Sequence, residues 1–271
     1  MTNVLLATSP TWGLFVPGRV GQLIVLAVII GLIYMMIRRA KAGMPIPEIR
    51  RMAGLEAMDE AIGRATEMGR PVIYSPGIGD LDNAQTIASY AVLAYVAKRC
   101  AQYDTRLIMT NRMIYIHAIT EEIIRQSYLE AGRPESYNPD DVRFISQFQF
   151  AYAAGVLGII HREQPAAAVY FGAFWAESML FIEGAAIAGA VQVTATANTH
   201  QLPFFLAAAD YTLIGEEMYA ASAYLSREPV LMGTVVGQDI MRVIFVGMIV
   251  LGMIFAYAVE TNPIIWFLRD F

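Results

Sequence analysis

Two apolar runs, residues 20–37 and 243–259, constrain this chain more than anything else in it. The first is interrupted only by Gln22 and Tyr34. Its length, at 1.5 Å per residue, gives roughly 27 Å of helix, close to the ~30 Å hydrocarbon core of a bilayer. The second run is bounded by Arg242 on one side and by Glu260, Asn262 and Pro263 on the other. A helix that is apolar all round needs lipid or protein on every side. Both runs are therefore expected to span a membrane. A cleaved leader fits the first run poorly, because its cations follow the apolar stretch and no small-residue cleavage site comes next.

Arg38, Arg39, Lys41, Arg50 and Arg51 follow the first run, whereas only Arg19 precedes it. The positive-inside bias then expects the middle of the chain in the cytoplasm and both termini outside. The resulting division is a non-cytoplasmic segment 1–19, a span 20–37, a juxtamembrane amphipathic helix 38–69, an α/β domain 70–228, a connector 229–242, a second span 243–259 and an interfacial tail 260–271. Trp12, Phe15 and Pro17 upstream, and Trp266 and Phe267 in the tail, suit shallow interfacial anchors. Asp239 and Arg242, three residues apart, are expected to pair at the headgroup level.

Composition agrees with lipid or an extensive interface. The chain is 56% hydrophobic and 16% charged, with a mean hydropathy of +0.47, beyond the ordinary range of soluble chains. A formal charge of -5 with no basic stripe argues against a nucleic-acid partner. Cys100, the single cysteine, reads as a packed apolar side chain.

Between the spans, β-rich runs alternate with helical patterns. Strands are expected at 71–75, 106–110, 142–146, 167–174, 191–197 and 204–209. Helices fall between them, at 83–102, 113–130, to about 161 and 178–190, with a last one at 215–225. Such alternation predicts an α/β fold: a doubly wound, mostly parallel Rossmann-like sheet inserted between two transmembrane helices. Residues 166–193 carry only Glu177 and Glu183 as charges. Glycines and strand-like alternation favour a buried core or subunit interface there over a third span. The small residues from Gly184 to Ala190 would let another backbone approach closely.

In a parallel sheet, ligands gather beyond the carboxyl ends of the strands. Polar residues recur there: Ser75, Gly77, Gly79, Asn111, Glu177, Asn198, Thr199 and His200 are the candidate binding residues. The loop 75–80 partly matches a phosphate-cradling turn, but it lacks a third glycine and a lysine. Asp80 or Asp82 is expected to cap the following helix instead. The three histidines are far apart, so no metal site is expected, and Gly-x-Ser-x-Gly is absent. Glu177 and Glu183 as an acid/base pair is the weaker alternative to carboxylates satisfied within a packed contact. No catalytic residue and no cofactor are assigned.

Across residues 54–61, Gly-Leu-Glu-Ala-Met-Asp-Glu-Ala, together with the 75–80 loop and the 194–200 segment, the chain resembles a family of uncharacterised prokaryotic membrane proteins. The resemblance implies a place in the prokaryotic inner membrane and lends no activity. The expected function is a membrane-anchored, self-associating scaffold whose α/β domains form a homo-oligomer. The alternatives are a domain that binds a small anionic ligand or nucleotide, with or without catalysis, and an accessory subunit that joins other membrane proteins in a transport or respiratory complex.

Overall fold

The computed structural model describes residues 20–44, 53–226 and 228–258. In chain order the elements are α1 (Val20–Lys41), α2 (Ala53–Met68), β1 (Val72–Gly77), α3 (Ala84–Tyr103), β2 (Leu107–Asn111) and α4 (Ile114–Glu130). There follow β3 (Val142–Phe144), α5 (Gln149–Glu163), β4 (Ala167–Ala173), α6 (Glu177–Ile187) and β5 (Val191–Thr196). The chain ends with α7 (Leu202–Ala208), β6 (Tyr211–Ile214), α8 (Glu217–Ser226) and α9 (Pro229–Ala258). They form two compact units, Ile49–Arg227 and the pair of terminal segments Met1–Glu48 and Glu228–Phe271. The expected tail 260–271, the anchors before residue 20 and the break near Pro45 lie outside the described residues.

The inner unit has the expected α/β fold, but it takes in α2 as well, whose Leu55, Met58 and Ile62 lie in the core, where a separate juxtamembrane helix over 38–69 was expected. Its six strands are all parallel, in the order β3-β2-β1-β4-β5-β6. Alternate residues of a strand point to opposite faces, and both faces here are apolar. Val72 and Tyr74 of β1 with Val169 and Phe171 of β4 pack under α2, α3, α4 and α8. Ile73, Ala168 and Tyr170 pack under α5, α6 and α7. Two-sided burial is what parallel strands require, and it explains near-continuous apolar runs in place of a clean alternation. Residues 166–193 fall into β4, α6 and the start of β5, within this core. Gly184 of α6 lies against the side chains of Leu157 and Ile160 of α5, at distances where a Cβ would make ordinary contact, so it does not mark the close backbone approach expected from the small residues.

One expected strand is a helix. Residues 204–208 belong to α7, Ala209 is its extended C-cap, and the sixth strand is Tyr211–Ile214. Pro203 sits in the first turn, where its missing N–H is harmless, and leucine and alanine favour helix. Phe205 is buried while Phe204 and Leu206 are exposed. A short apolar run carries no periodicity that separates the two states.

The outer unit is a pair of long helices, each long and apolar enough to cross a membrane, Gly21–Lys41 and Pro229–Ile254. Residues 229–242, expected as a connector, are helical and continuous with the apolar run. Gly233 and Gly237, one turn apart, explain how α9 meets α1. A Cβ on Gly233 would lie 2.7 Å from the Cα of Ile37, and one on Gly237 would lie 3.2 Å from the Cα of Ile33. The small-x-x-x-small spacing brings the backbones together. The register falls on α1 as it rises on α9, so the helices are antiparallel. Gly233→Ile is expected to prise the pair apart and to cost about 2 kcal/mol. Thermal unfolding in detergent would show it, with Gly247→Ile, where a side chain meets open space, as the unaffected control.

Candidate functional site

The strand order reverses direction between β1 and β4, which makes their carboxyl ends the place where a sheet of this kind opens a crevice. In this chain the crevice is closed. The two strands stay paired as far as Gly77 and Ala173, across a bulge, and the N–H of Ile78 donates to the Ala173 carbonyl at 2.8 Å. A Cβ on Gly77 would fall onto the Ala173 carbonyl, and one on Gly172 onto that of Pro76. Gly77 also has φ of +79°, a conformation that glycine adopts without strain. Gly79 makes room for Thr86 of α3.

The polar residues at the strand ends mostly satisfy one another. Ser75 Oγ is 2.8 Å from the hydroxyl of Tyr152, which donates to the Thr110 carbonyl at 3.2 Å, and Thr110 Oγ1 donates to the Tyr74 carbonyl at 3.2 Å. Burial pushes the Tyr152 phenol up to about 12, so it stays protonated as a donor. Glu177 is fully buried at the start of α6 and accepts from the Trp175 N–H at 2.9 Å and from Gln149 Nε2 at 2.6 Å. Asn198 accepts from Gln85 Nε2 at 2.9 Å and donates to the Phe174 carbonyl at 2.6 Å. Gln85 in turn accepts from the Ala197 N–H at 2.8 Å. These contacts tie the ends of β1, β2, β4 and β5 to α3, α5 and α6.

Three candidates stand apart. Thr199 and His200 lie exposed in the turn before α7. Asn111 is fully buried at the end of β2, and neither atom of its side-chain amide has a hydrogen-bond partner among the described residues. Glu183 is exposed on α6, so it forms no pair with the buried Glu177.

The helix cap differs from the expected one. Asn83, not Asp80 or Asp82, accepts the N–H of Gln85 at 2.9 Å. Asp80 lies in the preceding turn and accepts the Leu81 N–H at 2.6 Å. Hydrogen bonds from Tyr115 and Leu81 hold its carboxyl below the ordinary carboxylate range. A carboxylate in the turn before α3 disfavours an anion at that helix N-terminus.

Tyr152, Gln85 and Gln149, which complete these contacts, were not among the sequence candidates. Their signal was a polar side chain placed on the inward side of an otherwise apolar helix, as Tyr152 is beside Ala153 and Val156. A cavity of about 260 Å³ lies elsewhere, beside Thr105, Arg106 and Leu107 at the amino end of β2, with Cys100, Tyr128 and Tyr137 in its wall. Burial pushes the Cys100 thiol up, which keeps it unreactive. Among the described residues no group of three or more His, Cys, Asp or Glu is placed to hold a metal ion.

Residues 10–265 match the domain of unknown function DUF6754. The chain belongs to the DUF6754 family. No curated protein and no solved structure matches it. The DUF6754 match takes in α1, the whole sheet with its helices, and α9, so the family is defined by the sheet and the two long helices together.

Proposed function

We propose that this DUF6754 protein is a membrane-anchored, self-associating scaffold, held by α1 and α9 and joined to further copies through the face of the sheet covered by α5, α6 and α7. One observation carries the reading. On that face Phe148, Phe150, Trp175, Met179, Leu180, Ile187, Phe204 and Leu206 are all exposed, Phe148 at 80% and Ile187 at 76%. Ordinary side-chain areas make this on the order of 800 Å² of apolar surface, what each partner contributes to a standard interface. Among the described residues of α6, α7 and the first three turns of α5, Glu183 is the one exposed charge. The opposite face carries Glu60, Arg64, Glu67, Glu122, Arg125 and Glu130, as a solvated surface does. An uncharged patch of this extent marks an interaction site.

Arg38, Arg39 and Lys41 at the end of α1 support a cytoplasmic place for the α/β unit, in a prokaryotic inner membrane as the family resemblance implies. A ligand at the sheet mouth is the weaker reading, because β1 and β4 stay paired across the crevice and Ser75, Glu177 and Asn198 are held by neighbouring side chains. Mass measurement of the detergent-solubilised protein is expected to give a multiple of the 29.9 kDa chain. Ile187→Glu is expected to break the multimer down while the folded state keeps its stability to within about 0.5 kcal/mol, since the side chain is exposed. A wild-type monomer at micromolar concentration would sink the reading.

A further inference from the structure

We propose that two copies of this chain pair inside the membrane along the side of α9 that faces away from α1, with Asp239 of each copy bonded to the partner's Arg242. The inference rests on the reading of α1 and α9 as membrane spans, and it uses none of the α5–α6–α7 face.

The register between the two helices places this ion pair at depth. Gly233 meets Ile37 and Gly237 meets Ile33, so level residues have numbers that total 270. Asp239 is then level with Gly31 and Arg242 with Val28. The apolar run of α1 is residues 20–37, and Arg38, Arg39 and Lys41 mark its headgroup edge. Arg242 therefore lies about 15 Å from that edge, near the middle of the hydrocarbon. It is not at the inner boundary where its place in the sequence suggested. Sliding the helices so that Arg242 reached the boundary would lift Ile30, Tyr34 and Met35, each about half exposed or more, out into water.

The pair is also on the outside of the two-helix unit. Asp239 and Arg242 are joined at 2.9 Å, with side chains 61% and 47% exposed. An ionised side chain at mid-bilayer is costly, and such groups almost always face the interior of a helix bundle or a water-filled cavity in preference to lipid. They continue into Val246, Ile249 and Met253, all about 60% exposed. The spacing 239, 242, 246, 249, 253 alternates three and four residues, the repeat by which one side of a helix packs along another. At 100° per residue this seam lies opposite Gly233 and Gly237.

The charges select the occupant. Two copies of one membrane protein share an orientation, so a two-fold axis along the membrane normal sets their α9 helices parallel. Asp239 and Arg242 are then offset by about 4.5 Å along the axis, a step that an arginine side chain spans. Each aspartate meets an arginine and each arginine an aspartate, so the stripe is complementary to itself.

Disulfide cross-linking of the full chain in native membranes tests this, in a Cys100→Ala background. Val246→Cys and Ile249→Cys are expected to give about tenfold more covalent dimer than Leu251→Cys, which points elsewhere, a ratio equal to 1.4 kcal/mol. On the Val246→Cys chain, Asp239→Arg alone and Arg242→Asp alone are each expected to abolish the dimer. Co-expression of those two charge variants is expected to restore it as a mixed species. Equal cross-linking at all three cysteines, capture of only a different protein, or charge variants that dimerise unaided would each overturn the inference. A monomeric mass for the intact protein would bring down the self-association reading as well. A multimer without α9 cross-links would bring down this inference alone.

Discussion

Gly77→Val is expected to cost at least about 4 kcal/mol and to lower the unfolding midpoint by roughly 8 °C or more. Two independent penalties meet at this position. The backbone has φ of +79°, which costs an L-residue about 1–2 kcal/mol and a β-branched one more. The new Cβ would also fall onto the carbonyl of Ala173. Relief would mean separating β1 from β4, the central strands of the sheet, and losing the 2.8 Å bond from Ile78 to Ala173. Gly63→Ala is the control. It lies in α2 with open space at its Cβ position, and replacing a helical glycine there is expected to be neutral or to stabilise by up to about 1 kcal/mol. Denaturant melts of both variants in detergent, followed by tryptophan fluorescence, separate the two cases. A Gly77→Val protein that melts with the wild type would show that β1 and β4 do not close the crevice as described.

The same contact explains what the sequence could and could not reveal. Strands and helices were legible wherever a segment was long enough to show its period, as in α3 and α4, or bounded by turn residues, as in β1. The stretch 204–209 had neither advantage, and alanine and leucine beside Pro203 made it a helix. At the sheet mouth, Ser75, Glu177 and Asn198 stood out because polar residues at strand ends are visible locally. Their partners were not. Tyr152 is 77 residues from Ser75, Gln85 is 113 from Asn198, and Gln149 is 28 from Glu177. A row of polar residues therefore read as an open binding site, although their hydrogen bonds are spent holding it shut. Gly233 and Gly237 were equally visible as a pair, but their meaning depends on the helix against which they pack.

Asp141→Ala is expected to cost about 3 kcal/mol, the other large single-site loss, because it disarms a four-member ion cluster at the amino end of β2 and β3. The Asp141 carboxylate is 6% exposed. It accepts from Arg106 Nε at 2.8 Å, from Asn138 at 3.3 Å and from Arg143 at 3.4 Å. Glu163 accepts from Arg106 at 2.8 Å and from Arg143 at 3.1 Å. Without Asp141 the two guanidinium groups share a single carboxylate and repel each other. Arg106 is 44% exposed, so solvent screening keeps the loss near the lower end of the range for buried pairs. Acid exposes the remaining member. Burial alone would raise the Glu163 carboxyl, but the hydrogen bonds and charges of Arg106 and Arg143 outweigh it and hold the group below its ordinary value. A carboxyl depressed in the folded state adds stability that is complete above its unfolded value, about 4.3, and disappears as pH falls through the folded one. Glu163→Gln is therefore expected to flatten the acid limb of the stability profile below about pH 4.3 and to lower stability near neutrality. Parallel acid limbs for wild type and Glu163→Gln would mean that the arginines do not hold this carboxylate, and the cluster would then lose its part in joining β2 and β3 to α5.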